Sequence, residues 1–242
     1  MKLNKQETIL INGSGIDVEE RLRKINIIEL MKNFKAISFW EKEGLTALLK
    51  LIIKLKENIG KYESIVSDDA SGRLVSLILQ KIANKIRKDN DKDQIRVLFI
   101  AGGSGIQNRK IAINKLIENN KNKLGRTLLV TDYIQTGESI EKFMEILNDN
   151  NINFDVAAVS VSDDPKSSHH LYSKNLLKRL YYGEFGNAGL QFYSRISFAG
   201  VYKNSTSREP FPELQYNKTT DEMKNIREDI NLLADKAIEA IK

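Results

Sequence analysis

Short apolar runs alternate with amphipathic stretches along the middle of the chain, and this alternation predicts the fold. Runs at residues 62–67, 94–100, 127–130, 154–161 and 191–202 have the length and composition of buried strands. Between them, residues 74–86, 107–118, 140–147 and 171–182 carry apolar positions at helical spacing. Strands separated by helices in this way favour a parallel sheet covered on both faces. The sequence therefore predicts an α/β fold with a mostly parallel five-stranded sheet.

Helical patterns also flank this central region. Residues 17–58 and 220–242 repeat apolar positions every three to four residues. The sequence thus predicts a helical N-terminal lobe or hood at residues 1–60, an α/β core at 61–203, and a C-terminal loop and helix at 204–242. A chain of 242 residues is long enough to bury a substantial core.

Composition narrows the class of protein. The absence of cysteine excludes disulfides, thiolate metal sites and a cysteine nucleophile. The sequence shows neither a membrane-spanning run nor an N-terminal signal peptide, which favours a cytoplasmic protein without a membrane partner. The net charge of +6 suits an acidic ligand, but the lysines are widely spread, and no DNA-reading element argues for nucleic acid. The sequence is compatible with a homodimer.

One stretch carries most of the candidate chemistry. Residues 127–140, TLLVTDYIQTGESI, run from an apolar strand through Asp132 and a turn of small and hydroxyl residues into an amphipathic helix. The N–H groups and positive dipole end at a helix start hold phosphate, while a carboxylate accepts hydrogen bonds from sugar hydroxyls. This pattern favours a sugar-phosphate site. A plain strand–turn–helix with an N-capping Thr or Ser is the alternative.

This stretch resembles the loop that binds 5-phosphoribosyl 1-diphosphate (PRPP) in type I phosphoribosyltransferases. That family's pattern is an apolar strand, two acidic residues, two apolar residues and a Thr/Gly-rich turn. The resemblance implies that Asp132 is the catalytic carboxylate that holds the ribose hydroxyls. It also implies four residues that bind the 5-phosphate: Thr136, Gly137, Glu138 (through its amide) and Ser139.

The chain departs from the family pattern at two positions. Thr131 replaces the first acid, which removes a charge near the ribose. Glu138 occupies a position that is more often small, although its side chain can point to solvent while its amide faces the phosphate. The first departure leaves catalytic activity open.

A second strand–turn–helix precedes the first by about sixty residues. It carries Asp68-Asp69-Ala70-Ser71-Gly72-Arg73 after the strand at 62–67. Its position resembles the loop that grips the diphosphate of PRPP in the same family. The resemblance implies a diphosphate site at Ala70, Ser71, Gly72 and Arg73, with Arg73 bidentate to the phosphate oxygens. A salt bridge from Arg73 to Asp68 or Asp69 is an equal alternative.

The resemblance implies a glycosyltransferase of nucleotide metabolism. Such an enzyme moves the 5-phosphoribosyl group of PRPP to a nitrogenous base or nucleotide precursor and releases diphosphate. Mg²⁺ is the implied cofactor, held by diphosphate and sugar hydroxyls, and no protein metal ligand is assigned. A regulatory protein that binds PRPP or a nucleotide without turnover is the main alternative. A hydrolase or other phosphate-binding enzyme on another doubly wound fold is a weaker one.

Overall fold

A computed structural model describes residues 9–10, 15–68, 72–100, 107–162, 179–186, 201–202, 213–214 and 220–242. The sheet at its centre has six strands, which are β1 (Ile9–Leu10), β2 (Ser64–Asp68), β3 (Arg96–Ile100), β4 (Thr127–Ile134), β5 (Phe154–Val161) and β6 (Arg179–Phe185). Their spatial order is β1-β6-β5-β4-β2-β3, and every neighbouring pair is parallel. The predicted parallel α/β sheet is confirmed.

The two central strands are buried on both faces. Every residue of β5 is buried, and in β4 the single partly exposed residue is Tyr133. Their near-continuous apolar runs are what a doubly covered parallel strand needs. The edge strand β3 is only partly covered, and its burial increases from Arg96 to Ile100.

Seven α-helices lie in the part of the chain that the structure describes. They are α1 (Gly15–Lys24), α2 (Ile27–Lys32), α3 (Lys42–Leu55), α4 (Arg73–Lys88), α5 (Gln107–Leu124), α6 (Glu138–Asp149) and α7 (Thr220–Ile241). Helices α2, α3, α4 and α7 share one apolar cluster with the first face of the sheet. Helices α5 and α6 share a second cluster with the opposite face. The predicted covering of both faces is therefore confirmed.

The predicted helix at residues 171–182 is wrong over its described end, because residues 179–185 form β6. The aromatic residues of RLYYGEF favour a strand, and Tyr181 and Tyr182 pair with β5. Gly183 allows α3 to pass directly over β6, since a Cβ there would overlap the carbonyl oxygen of Ala47. A sequence pattern cannot reveal that contact, which joins residues more than 130 positions apart.

The sequence predicts the fifth core strand at residues 191–202, but another segment of the chain pairs with β5. β6 takes that place in the sheet. Residues 191–200 lie outside the described residues. Residues 201–202 form a two-residue strand, β7 (Val201–Tyr202), antiparallel to β8 (Glu213–Leu214) in a separate sheet.

A buried carboxylate ties the C-terminal helix to the N-terminal region. Asp229 of α7 accepts hydrogen bonds from the backbone N–H groups of Lys35 (2.7 Å) and Ala36 (2.9 Å) and from the indole N–H of Trp40 (3.0 Å). It is 1% exposed. The N-terminal helices α2 and α3 and the C-terminal helix α7 cover the same face of the sheet as α4. The predicted division of the chain at residues 60 and 203 stays a prediction.

Candidate functional site

The strand order changes direction between β2 and β4, and their carboxyl ends are where a doubly wound sheet forms its ligand crevice. In chain order the five long strands are arranged 2-1-3-4-5, so the first strand (β2) pairs with the third (β4). The helix after β2 packs on the first face of the sheet, and the helix after β4 packs on the second. In doubly wound sheets ligands bind outside the carboxyl ends of the strands where the connections diverge in this way. Both sequence-predicted loops leave the sheet at this point.

Asp132 lies near the carboxyl end of β4 and is 2% exposed. Side chains alternate along a strand, so Asp132 shares the first face with Leu128 and Val130 of the cluster that contains α4. A carboxylate buried at a strand end is costly unless it has polar partners, and it is therefore a candidate for a functional group.

Thr131 lies on the other face of the same strand. It pairs with Ala158 of β5, and Leu129 and Ala158 belong to the second apolar cluster. Thr131 is 3% exposed. The residue at the position of the family's first acid is therefore enclosed, on the face opposite Asp132, and a charge there would lie against apolar side chains.

The turn after β4 requires a glycine. Gly137 is buried and has φ 83° and ψ −11°, in the left-handed region that favours glycine, and it provides the N-cap of α6. The backbone N–H of Glu138 lies 3.4 Å from the hydroxyl oxygen of Thr136. Thr136, Glu138 and Ser139 are exposed, so the start of α6 is open to solvent. This geometry suits a small anion above the first turn.

Two carboxylates in the first turn of α6 act against an anion there. Glu138 and Glu141 both lie in this turn, where negative charge complements the helix dipole. A phosphate at the same place therefore relies on backbone amides rather than on net positive charge.

The predicted diphosphate loop is described only in part. Ala70, Ser71 and Asp69 lie outside the described residues. Gly72 is buried at the N-cap of α4, and Arg73 is the first residue of that helix. The guanidinium carbon of Arg73 lies 4.1 Å from the centroid of the Phe99 ring. The structure thus places Arg73 at the same edge of the sheet as Asp132, and the choice between a diphosphate contact and a salt bridge stays open.

Two residues at this edge were missed by sequence reasoning. Ser67 is fully buried, and its hydroxyl makes no hydrogen bond with the described residues. It pairs with Phe99 on one side and Val130 on the other. Ser67 could have been found from the sequence, because it is a polar residue near the end of an apolar strand. The position of Phe99 at this edge follows only from the pairing of β3 with β2.

The opposite edge of the sheet holds a different polar cluster. The Tyr62 hydroxyl donates to the Asp155 carboxylate (2.8 Å), and Arg126 donates to the same oxygen (3.1 Å). Burial and the adjacent Asp155 charge both raise the pKa of Tyr62. Tyr62 and the half-buried Arg126 each donate a hydrogen bond to the buried Asp155 carboxylate, which indicates a packing role for this cluster.

The groups at this edge of the sheet are compatible with a magnesium ion carried by a phosphate ligand. Among the described residues no group of three or more His, Cys, Asp or Glu side chains could enclose a metal. Mg²⁺ commonly keeps several waters and binds substrate phosphates, so a cation held by the diphosphate and sugar hydroxyls needs no enclosing set of protein ligands.

No known protein family and no curated protein matches the chain. Among solved structures, a purine phosphoribosyltransferase from Pyrococcus horikoshii Ot3 is similar to it. The match has 14% sequence identity and a TM-score of 0.32, and covers 58% of this chain and 82% of that one. A likeness at this level carries no information about ligand or activity.

Across the described residues, no helix has both the length and the apolar character to cross a membrane.

Proposed function

We propose that the protein binds PRPP with Mg²⁺ and transfers its 5-phosphoribosyl group to a nitrogenous base. The observation that supports this proposal is that Asp132, the Gly137 turn and Arg73 all lie at the carboxyl edge of the neighbouring strands β2 and β4. A ligand with a phosphate at one end, hydroxyls in the middle and a diphosphate at the other end matches that set of groups.

Each group would have a separate task. The backbone amides of Gly137, Glu138 and Ser139, with the Thr136 hydroxyl, would hold the 5-phosphate. Asp132 would accept hydrogen bonds from the ribose hydroxyls. Gly72 and Arg73, together with Ala70 and Ser71 of the same loop, would hold the diphosphate.

The reaction would break the bond between ribose C1 and the diphosphate oxygen. The electron pair leaves with the diphosphate, and a nitrogen lone pair of the base forms the new bond to C1. The base then gives up its N–H proton to solvent. When bound, Mg²⁺ neutralises charge on the leaving diphosphate. The protein would contribute by positioning the two reactants and by stabilising the developing charges.

A second candidate function is binding without turnover, as in a regulatory protein. Thr131 favours it, because this neutral residue occupies the position of the first acid in the family pattern. A protein of this kind would keep the affinity for PRPP and lose the release of diphosphate.

Calorimetric titration with PRPP and Mg²⁺, followed by a diphosphate-release assay against a panel of bases, tests both functions. Binding with release for one base supports the transferase. Binding without release for any base supports the regulator. A protein that binds neither PRPP nor ribose 5-phosphate is neither of these, and the crevice then serves another phosphate ligand or none.

A further inference from the structure

Arg73 and Phe99 form a contact between two elements that are distant in sequence. Arg73 begins α4, and Phe99 is the fourth of five residues in the edge strand β3. The guanidinium carbon lies 4.1 Å from the centre of the ring, well within the range of a cation–π interaction. The pair lies at the carboxyl edge of the sheet, where β2 and β3 end.

Strand register fixes the place of the ring. Phe99 pairs with Ser67, and Val97, two residues earlier on β3, packs against the apolar cluster that contains α4. Alternation therefore directs Phe99 to the same face of the sheet as α4. The ring is only half-buried, so its burial in the core does not by itself account for an aromatic residue here.

A guanidinium over an aromatic ring keeps its hydrogen-bonding capacity. Its five N–H donors lie in the plane of the group, so a ring that stacks on its face leaves the donor directions unobstructed. The ring also restricts a long side chain that otherwise loses rotamer freedom when it binds a ligand. A side chain held in this way is ready for bidentate contact with phosphate oxygens.

We propose that Phe99 is a positioning residue, whose ring holds the Arg73 guanidinium at the carboxyl ends of β2 and β3 to receive the diphosphate group. This inference rests on the proposed function. It assigns Phe99 no contact with the ligand itself, because the ring acts through Arg73.

The test compares Phe99→Leu with the conservative variant Phe99→Tyr, which keeps the ring. Phe185→Leu is the matched control, because Phe185 is an exposed phenylalanine at the end of the strand β6, away from Arg73. Affinities for inorganic diphosphate, PRPP and ribose 5-phosphate are measured by calorimetry with Mg²⁺. Phe99→Leu should weaken diphosphate and PRPP binding about three- to tenfold and leave ribose 5-phosphate unchanged. Phe99→Tyr and Phe185→Leu should match the parent for all three ligands.

Two further measurements separate positioning from a general loss of structure. The Arg73 Nε–H resonance, assigned with Arg73→Lys, should shift when the ring is removed in Phe99→Leu and stay near its parent position in Phe99→Tyr. Adding Phe99→Leu to Arg73→Ala should not weaken diphosphate binding further, because Phe99 acts through the arginine.

The possible failures are distinguishable. If Arg73→Ala loses diphosphate affinity and Phe99→Leu does not, the positioning role is overturned and the proposed function stands. If Phe99→Leu weakens ribose 5-phosphate as much as diphosphate, the ring has a general structural role and the inference is also overturned. If the parent protein binds neither PRPP nor diphosphate, the proposed function fails and this inference fails with it.

Discussion

Replacing Gly137 separates the stability of the turn before α6 from its ability to hold a phosphate. With φ at 83°, any other residue at this position adopts a left-handed conformation. That conformation costs an L-residue about 1–2 kcal/mol, and a β-branched side chain pays more, up to about 3 kcal/mol. For a chain of this size, 1 kcal/mol lowers the melting temperature by about 2–4 °C. Gly137→Ala should therefore melt about 2–8 °C lower than the parent, and Gly137→Val lower still, with both variants folded.

The effect on ligand binding should be larger than the effect on stability. We expect a Cβ at residue 137 to block the approach of a phosphate to the amides of the first turn. Each charge-assisted hydrogen bond to a phosphate contributes about 1.5–3 kcal/mol, so losing two weakens binding by at least about a hundredfold. Calorimetry with ribose 5-phosphate measures this loss, and differential scanning calorimetry measures the melting temperature.

Gly125→Ala provides the matched control. Gly125 also has a positive φ, of 52°, but it precedes β4 at the opposite edge of the sheet. A new Cβ there would meet the carboxyl group of Glu63, which lies on an exposed side chain and can move at the loss of one exposed hydrogen bond from the Arg126 N–H. The control should lose a similar amount of stability and keep the parent affinity for ribose 5-phosphate. Unchanged affinity in Gly137→Val would refute the assignment of the 5-phosphate to this turn.

Four further outcomes are expected. Asp132→Ala should weaken PRPP binding about ten- to hundredfold in calorimetry, because charge-assisted bonds to the ribose are lost; parent-like affinity would exclude Asp132 as a ribose ligand. Thr131→Asp should lose about 3–5 kcal/mol at neutral pH by urea denaturation, since the new charge is buried. Burial raises the pKa of such a carboxyl, so the loss in free energy of unfolding should shrink as the pH falls towards about 4, the pKa of an unfolded aspartate. A loss that does not change with pH would contradict this. Glu138→Gln should tighten ribose 5-phosphate binding about two- to fivefold by removing charge from the first turn of α6, and weaker binding would argue against a phosphate there. Asp229→Ala should cost about 2–4 kcal/mol by the same denaturation assay, since three N–H groups including that of Trp40 lose their acceptor; a loss below 1 kcal/mol would show that water replaces it.

The side chains of Thr131 and Asp132 lie on opposite faces of β4, and this affects the choice between an enzyme and a regulatory protein. An acid at residue 131 would not face the ribose site, because the structure places that side chain on the face of Ala158 and the second apolar cluster. The expected result of Thr131→Asp is therefore a loss of stability. Diphosphate release by the parent protein is the measurement that decides between the two functions.

The sequence by itself determined the local elements of the site. The run Leu128-Leu129-Val130 is buried in a strand, and a turn and a helix follow it, as its pattern predicts. The bounds differ, because the strand continues through Asp132 to Ile134 and the helix begins at Glu138, two residues before the predicted start. Strand and helix periodicity, together with the conformational demand that glycine meets, act over a few residues. The same holds for the strand at residues 154–161, which the apolar pattern predicts with the observed bounds.

The tertiary structure decided which elements meet. Residues 179–185 became a strand because they pair with β5 and because Gly183 accepts the close passage of α3. The strand order that brings the Gly137 turn beside the start of α4, and the register that aligns Phe99 with Ser67, both join residues far apart in the chain. A local sequence pattern does not reveal such pairings. The free energy that favours them comes from apolar area buried between distant segments and from backbone hydrogen bonds between strands.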